Sequence, residues 1–364
     1  VVFMASNRVF NFSAGPSMLP EAILEKAAKE MLNYEKSGMS VMEMSHRSSS
    51  YLTIFNNTKA LLKKVMAIPD GYEIVFIHGG ATQQFSMVPL NLLKNGKADY
   101  AVTGIFSKKA AIEAQKYAKV HIVYDGKENN YTHIPLLQEL KIDNDTSYLH
   151  LCSNNTIYGT EWKYIPETAG IEIVADMSSN ILSKPIDVSK YGMIYAGAQK
   201  NMGIAGLGVA IIKKTLLQPV SDNTPVLLNY SLMIANDSMY NTPPAYAIYV
   251  LGLVLEWIDT QGGLEVIAKQ NQEKAKVLYD YLDSSDFYIP HANKEDRSLM
   301  NVTFTTPSKD LDTAFVKESI QEGMTNLKGH RQVGGIRASI YNAMPLEGVK
   351  SLVKFMKLFE ENNQ

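Results

Sequence analysis

With 364 residues, the chain is too long for one ordinary hydrophobic core, so two domains are the expectation. Its 46% hydrophobic and 20% charged residues describe a well-buried globular protein, and a net charge of −2 removes any general attraction to nucleic acid or anionic membrane. The single cysteine, Cys152, excludes an intrachain disulfide and fits a reducing compartment such as the cytoplasm.

The opening stretch Val1–Phe12 lacks the long apolar run of a secretory signal, being broken at Asn7 and Arg8, and Met4 offers a natural start with Val1–Phe3 ahead of it. A first helix is expected from about Pro20 to Ser37, with Ile23, Leu24, Ala27, Ala28, Met31 and Leu32 as its apolar stripe and Gly38 at its end. Tyr72–Ile77 reads as a strand, and Gly79-Gly80 turns the chain into a helix starting near Thr82. Strand Tyr100–Thr103 and amphipathic helix Ser107–Ala118 follow. Short apolar runs come next at Val120–Tyr124, Tyr148–Cys152, Ile171–Ala175, Met193–Tyr195 and Val209–Ile212. Such alternation indicates an α/β fold with a mainly parallel central sheet covered by helices on both faces. Ala245–Ile258 is shorter than the roughly 20 apolar residues of a membrane span and reads as a buried helix. After Gly262-Gly263 come helix Leu264–Leu282, strand Met300–Thr305, helix Leu311–Glu322, strand Ile336–Ser339 and a last helix from Leu346, which together suit a smaller α+β domain with a largely antiparallel sheet. The expected division is a large domain over 16–260 and a small domain over 261–364 together with 1–15.

In open α/β sheets ligands bind beyond the carboxyl ends of the strands. Four such ends carry unusual chemistry: His78-Gly79-Gly80-Ala81-Thr82, Ser153-Asn154-Asn155-Thr156, Asp176 with Ser178-Ser179, and Gln199-Lys200 between Gly197 and Gly203. Singly, each has a plain structural reading as a turn, a loop cap or a surface lysine. Together they set a carboxylate on one strand end and a primary amine on a later one, beside a glycine turn that aims backbone N–H groups at a phosphate. Pyridoxal phosphate needs that pair: a lysine to join it as a Schiff base and an acid to keep its pyridine nitrogen protonated.

Two other chemistries are excluded. Gly203-Ile204-Ala205-Gly206-Leu207-Gly208 precedes a strand instead of following one, so it is not a dinucleotide fingerprint. The seven histidines show no paired ligand spacing and one cysteine cannot supply a thiolate cluster, so no metal is expected. Two basic pairs remain, His46-Arg47 in a Ser-rich stretch and His330-Arg331 leading through Gly334-Gly335 to Arg337. Guanidinium groups there match carboxylate and phosphate oxygens.

Taken in order, several stretches carry a resemblance. They are Asn11-Phe12-Ser13-Ala14-Gly15-Pro16, Glu43-Met44-Ser45-His46-Arg47, His78–Phe85, Asn155–Glu161, Ala175–Ser179, Tyr195–Asn201, Asn241-Thr242-Pro243-Pro244 and Gly329–Ser339. Along nearly its whole length the chain resembles the phosphoserine aminotransferase family, class-V members of the fold-type-I pyridoxal-phosphate enzymes. The resemblance implies that Lys200 holds the cofactor covalently and Asp176 pairs with the ring nitrogen. Ala81, Thr82 and Gln199 would take the cofactor phosphate, Thr156 the ring oxygen, and Phe106 the ring face. Asn241 and Thr242 would reach the phosphate from a partner subunit, making a homodimer with shared sites. For the substrate, Arg337 would clamp the α-carboxylate with Ser13 nearby. His46 and Arg47 of a second subunit, with His330 and Arg331, would take the phosphate.

The implied reaction is reversible transfer of the amino group of L-glutamate to 3-phosphooxypyruvate, giving O-phospho-L-serine and 2-oxoglutarate, a step of serine biosynthesis. Acceptance of a phosphorylated hydroxythreonine precursor of vitamin B6 stays open. Two positions depart from relatives: Phe106 stands where many have tryptophan, and Thr82 where some have arginine. The alternatives are another fold-type-I aminotransferase of the alanine/serine–glyoxylate type, a cysteine desulfurase, disfavoured because Cys152 ends a buried strand, and a non-catalytic phosphate-ligand-binding or scaffold protein.

Overall fold

The computed structural model describes residues 8–364, so the candidate start at Met4 and part of the N-terminal segment lie outside the described residues. A seven-stranded sheet orders its strands Tyr72–His78, Leu207–Lys213, Met193–Gly197, Ile173–Asp176, Leu149–Cys152, Lys97–Val102 and Lys119–Asp125. Only Leu207–Lys213 runs against its neighbours; the other six point the same way. The expected mainly parallel sheet is therefore present.

Alternation along these strands builds a core on each face. On one side Ile74, Phe76, Leu149, Leu151, Ala175 and Ile211 pack against helices Ser49–Val65 and Ala245–Thr260. On the other, Val75, Ile77, Tyr100, Val174 and Tyr195 pack against helices Gly80–Leu92 and Ile105–Ala114. Burying each large apolar side chain contributes roughly 1.5–3 kcal/mol, which is why the central strands are apolar on both faces. A third core unites Phe10, Phe12 and Met18 with helices Gly263–Ser284 and Leu346–Asn363 and the antiparallel strands Ile289–Pro290, Asn301–Thr305 and Ile336–Ser339. Phe10–Asn11 joins it by pairing in parallel with Met324–Thr325. Among the described residues, no helix is long and apolar enough to cross a membrane.

Several elements differ from expectation for local reasons. The first helix spans Glu21–Glu30, short of Ser37: Asn33 beyond it is extended at φ −155°, and Glu35 and Lys36 are left-handed at φ 43° and 64°. Leu32, counted in its apolar stripe, is 85% exposed. Helix Ser49–Val65 was not anticipated, although Ser48 caps it and Tyr51, Ile54, Phe55, Thr58 and Leu62 form its buried stripe. The helix after Gly79 starts at Gly80, two residues before Thr82, and the next spans Ile105–Ala114 in place of Ser107–Ala118.

Where the sheet-end loop Asn155–Thr160 meets strand Asn301–Thr305, Gly159 has φ 72°, and an added Cβ would lie 2.7 Å from Thr303 Oγ1 and 2.8 Å from the Asn301 carbonyl. Gly159→Ala therefore combines backbone strain with overpacking, a loss of about 2 kcal/mol or more. A thermal midpoint several degrees below wild type is expected by scanning calorimetry; an unchanged midpoint would contradict this reading of the contact.

Candidate active site

Strands that run together end together, and the carboxyl edge of the sheet is where the chemistry converges. Cys152 lies level with Asp176, and Asp176 with Tyr195 one residue before Ala196-Gly197. Beyond this edge a cavity of about 460 Å³ is lined by Ala81, Thr82, Phe106, Thr156, Asp176, Gln199, Lys200, His330 and Arg337, among others. A larger open groove of about 700 Å³ between helices Lys309–Gln321 and Leu346–Asn363 lacks any comparable constellation and lies away from this edge.

Asp176 ends its strand with its side chain almost fully buried. Burial pushes its carboxyl pKa up, against two bonds that pull it down: the Ser178 N–H at 2.9 Å and the Ser178 hydroxyl at 2.6 Å. Both converge on Oδ1, so Oδ2 remains for a further donor. Ser178 is itself held, its Oγ accepting from the Gly197 N–H at 3.1 Å. The carboxylate is thus oriented by the next strand over.

Lys200 follows that strand in the turn leading to Leu207–Lys213. Its Nζ donates to Thr156 Oγ1 at 2.7 Å and lies 5.7 Å from the centre of the Phe106 ring. Burial lowers its pKa to about 8, with Arg337 adding to the drop and Asp176 opposing it. An amine titrating there is available as base or nucleophile near neutral pH. Ser17 clamps the turn from outside: its N–H donates to the Gln199 carbonyl at 2.9 Å and its hydroxyl to the Lys200 carbonyl at 2.5 Å.

Gly79 and Gly80, at φ of 85° and 61°, let the chain turn sharply into helix Gly80–Leu92. Ala81 and Thr82 in its first turn present N–H groups without intrahelical partners, at the positive end of the helix dipole. The fourth wall comes from the third core. Arg337, on strand Ile336–Ser339, is part-buried, with Nη1 3.5 Å from the Thr156 carbonyl, and burial lowers its pKa. His330 is lowered too, first by burial and then by Arg337, Arg331 and Lys109.

Six expected site residues do not line this cavity: Ser13, His46, Arg47, Arg331, Asn241 and Thr242. Ser13 stands at its edge, its Oγ accepting from the Gly15 N–H at 3.4 Å. Arg47, Arg331, Asn241 and Thr242 are exposed, and the Thr242 carbonyl accepts from His78 Nε2 at 2.9 Å. Ser17 and Tyr341, whose hydroxyl donates to the Ala14 carbonyl at 2.8 Å, were not singled out in the sequence. Ser17 adjoins the quoted Gly15-Pro16, whereas nothing local marks Tyr341.

Across its length the chain matches the class-V aminotransferase family over residues 9–352. It is 51% identical over 354 residues to the phosphoserine aminotransferase of Geobacillus kaustophilus, covering 97% of this chain and 98% of that one. It is 51% identical over 365 residues to that of Nitrosomonas europaea, covering 98% and 99%. The solved structure of a PLP-bound phosphoserine aminotransferase from Trichomonas vaginalis is similar at a TM-score of 0.93 and 39% identity, over 96% of this chain and 100% of that one.

The electrostatics of Lys200 can be checked without any ligand. In the cofactor-free protein, the rate of Lys200 labelling by an amine reagent should inflect near pH 8, the value to which burial lowers it. Asp176→Asn removes an attractive charge and should move the inflection down; Arg337→Met removes a repulsive one and should move it up. Shifts in the opposite directions would refute the assignment. The folded pKa lies below that of the unfolded chain. The linked stability is therefore lowest below pH 8 and rises as pH climbs from about 8 towards 10.5.

Proposed function

The chain belongs to the phosphoserine aminotransferase family of the class-V aminotransferases, and we propose that it carries out the reversible, pyridoxal-phosphate-dependent transfer of an amino group from L-glutamate to 3-phosphooxypyruvate. The observation that carries the reading is the meeting of Lys200, Asp176 and Arg337 in one cavity, with a glycine turn and helix N-terminus on its wall.

Pyridoxal phosphate fits the residues present. Asp176 keeps Oδ2 for a protonated ring nitrogen, and its burial strengthens that ion pair. Ala81 and Thr82 N–H groups, with the Gln199 side chain, suit a phosphate, Thr156 Oγ1 a ring oxygen, and Phe106 a ring face. When bound, the group supplies an electron sink for negative charge formed at the substrate Cα. The chain supplies the rest. Asp176 holds a proton at the ring nitrogen, and Lys200 Nζ takes the proton from Cα with a pKa suited to the task. Arg337 holds the α-carboxylate common to both substrates, which fixes Cα relative to Nζ.

The distal end of the substrate must be read by residues that accept a γ-carboxylate in one direction and a phosphate in the other. His330 and Arg331 supply part of this from the same chain. His46 and Arg47, outside this chain's cavity, would supply the rest to a neighbouring copy. Asn241 and Thr242 would likewise reach a neighbour's cofactor phosphate. In this reading the protein acts as a cytoplasmic homodimer with shared sites. Residues 16–260 would act as the cofactor-binding domain and 261–364 with 1–15 as the smaller domain that carries Arg337.

The test compares amino donors. Enzyme loaded with pyridoxal phosphate and 2-oxoglutarate is given O-phosphoserine or serine, and glutamate formation is followed. Phosphoserine should be the better donor by a factor on the order of 100 in kcat/KM, the scale of losing several charge-assisted hydrogen bonds. Equal rates would leave an aminotransferase and remove the phosphate assignment; pyruvate formed from alanine and glyoxylate faster than glutamate from either donor would favour the alternative family member. Phe106→Trp enlarges the stacking face and should tighten cofactor binding a few-fold by equilibrium titration. Weaker binding would show that Phe106 does not face the ring.

A further inference from the structure

Asn301 lies at the start of strand Asn301–Thr305, fully buried, and does not line the cavity. Its side chain nevertheless meets pieces of three cavity walls. Oδ1 accepts from Asn154 Nδ2 at 2.8 Å, and Nδ2 donates to Ser339 Oγ at 2.9 Å and to Tyr341 OH at 3.1 Å. Ser339 is two residues beyond Arg337, on the strand that pairs with Asn301. Asn154 Nδ2 also donates to Ser179 Oγ at 2.7 Å, and Ser179 returns its proton to the Asn154 carbonyl at 2.8 Å. Tyr341 donates to the carbonyl of Ala14, whose neighbour Gly15 packs on the Lys200 stem.

The donor and acceptor roles of Asn301 in this network are forced. The Ala14 carbonyl can only accept, so the Tyr341 hydroxyl must donate to it, and that hydroxyl must therefore accept from Asn301. The amide of Asn301 then faces Tyr341 and Ser339, and its oxygen faces Asn154. A side chain with an oxygen acceptor on one branch and an N–H donor on the other is required there. No residue of the same size lacking either group satisfies all three partners.

We propose that Asn301 is a positioning residue, holding the Arg337 strand in register with the Asp176 loop and the Ala14-Gly15 segment so that clamp, acid and amine keep their spacing. The proposal rests on the function read above for its kinetic consequences, but not for its binding ones. Asn301→Asp keeps the shape and turns the donor into an acceptor, so Tyr341 can no longer serve both Ala14 and position 301. Tyr341→Phe removes the hydroxyl that joins Ala14 to Asn301 but leaves Asn301 paired with Ser339 and Asn154, and is the milder variant should the first fail to fold.

The first readout needs no turnover: the Kd of glutarate, a dicarboxylate without an amine, by calorimetry. It should rise about tenfold in Asn301→Asp and several-fold in Tyr341→Phe, because a clamp displaced by a fraction of an ångström loses its paired geometry. The second is steady-state kinetics per bound cofactor. There kcat/KM should fall up to about a hundredfold for glutamate and phosphoserine alike, their ratio unchanged, since the α-carboxylate is common to both. A lower thermal midpoint or lower cofactor retention alone, with glutarate Kd and KM within twofold of wild type in the folded variants, overturns the proposal. Absence of phosphoserine turnover in the wild type would overturn the function reading, while the glutarate Kd would still decide the role of Asn301.

Discussion

The site depends on a carboxyl group set where water cannot reach it, its pKa raised by burial and pulled back in part by its hydrogen bonds. Isolated ions in a protein interior cost several kcal/mol, and a carboxyl so placed takes up a proton unless hydrogen bonds oppose it. Asp176 is opposed in that way by the N–H and hydroxyl of Ser178, each bond to a charged group contributing about 1.5–3 kcal/mol. Ser178 in turn leans on the Gly197 N–H, three residues before Lys200. The acid and the amine are therefore positioned by one short hydrogen-bonded path between adjacent strands, and the amine's field is felt by the acid.

Around that pair the charges are balanced. Burial drives Lys200 towards its neutral form, Arg337 pushes in the same direction and Asp176 pulls it back. A carboxylate substrate occupying Arg337 would cancel the repulsive contribution, so the amine's proton affinity would rise when the site fills. The polar groups that hold this arrangement are themselves buried: Asn154, Asn155, Thr156, Ser178 and Ser179 are all closed off from solvent. Their bonding is directional, which is how loops without regular structure hold a fixed geometry.

Much of this was legible in the sequence because it follows from strand ends. Apolar runs of three to six residues located the sheet, with Asp176 directly after its run and Thr156 and Lys200 a few residues beyond theirs. What was hidden falls into two kinds. Contacts such as Asn154 with Asn301 or Ser17 with Lys200 join residues 147 and 183 positions apart, and the distant partners Asn301 and Ser17 lie outside the stretches that the sequence marks. Helix Ser49–Val65 was overlooked because Thr58 stands in its apolar stripe, where its hydroxyl bonds back to the Ile54 carbonyl, and because three lysines follow within seven residues. The extended Asn33 and the left-handed Glu35 and Lys36 come with no glycine or proline to announce the break, so the apolar pattern carries the first helix too far.

The one reversed strand, Leu207–Lys213, has a further consequence. Because it runs against Met193–Gly197 and pairs Gly208 with Gly197, the chain goes out through Lys200 and returns within the same edge of the sheet. Lys200 thus sits on a hairpin whose two legs are stapled together, with Ser17 across its crown. Its backbone is held on both sides, by the paired strands and by Ser17. The motion this leaves most directly to the amine is rotation about its own four-carbon stem, a shorter-range movement than the displacement of a loop or a domain. Slow mechanical events in a catalytic cycle are therefore expected in the parts that move as bodies and not in this hairpin.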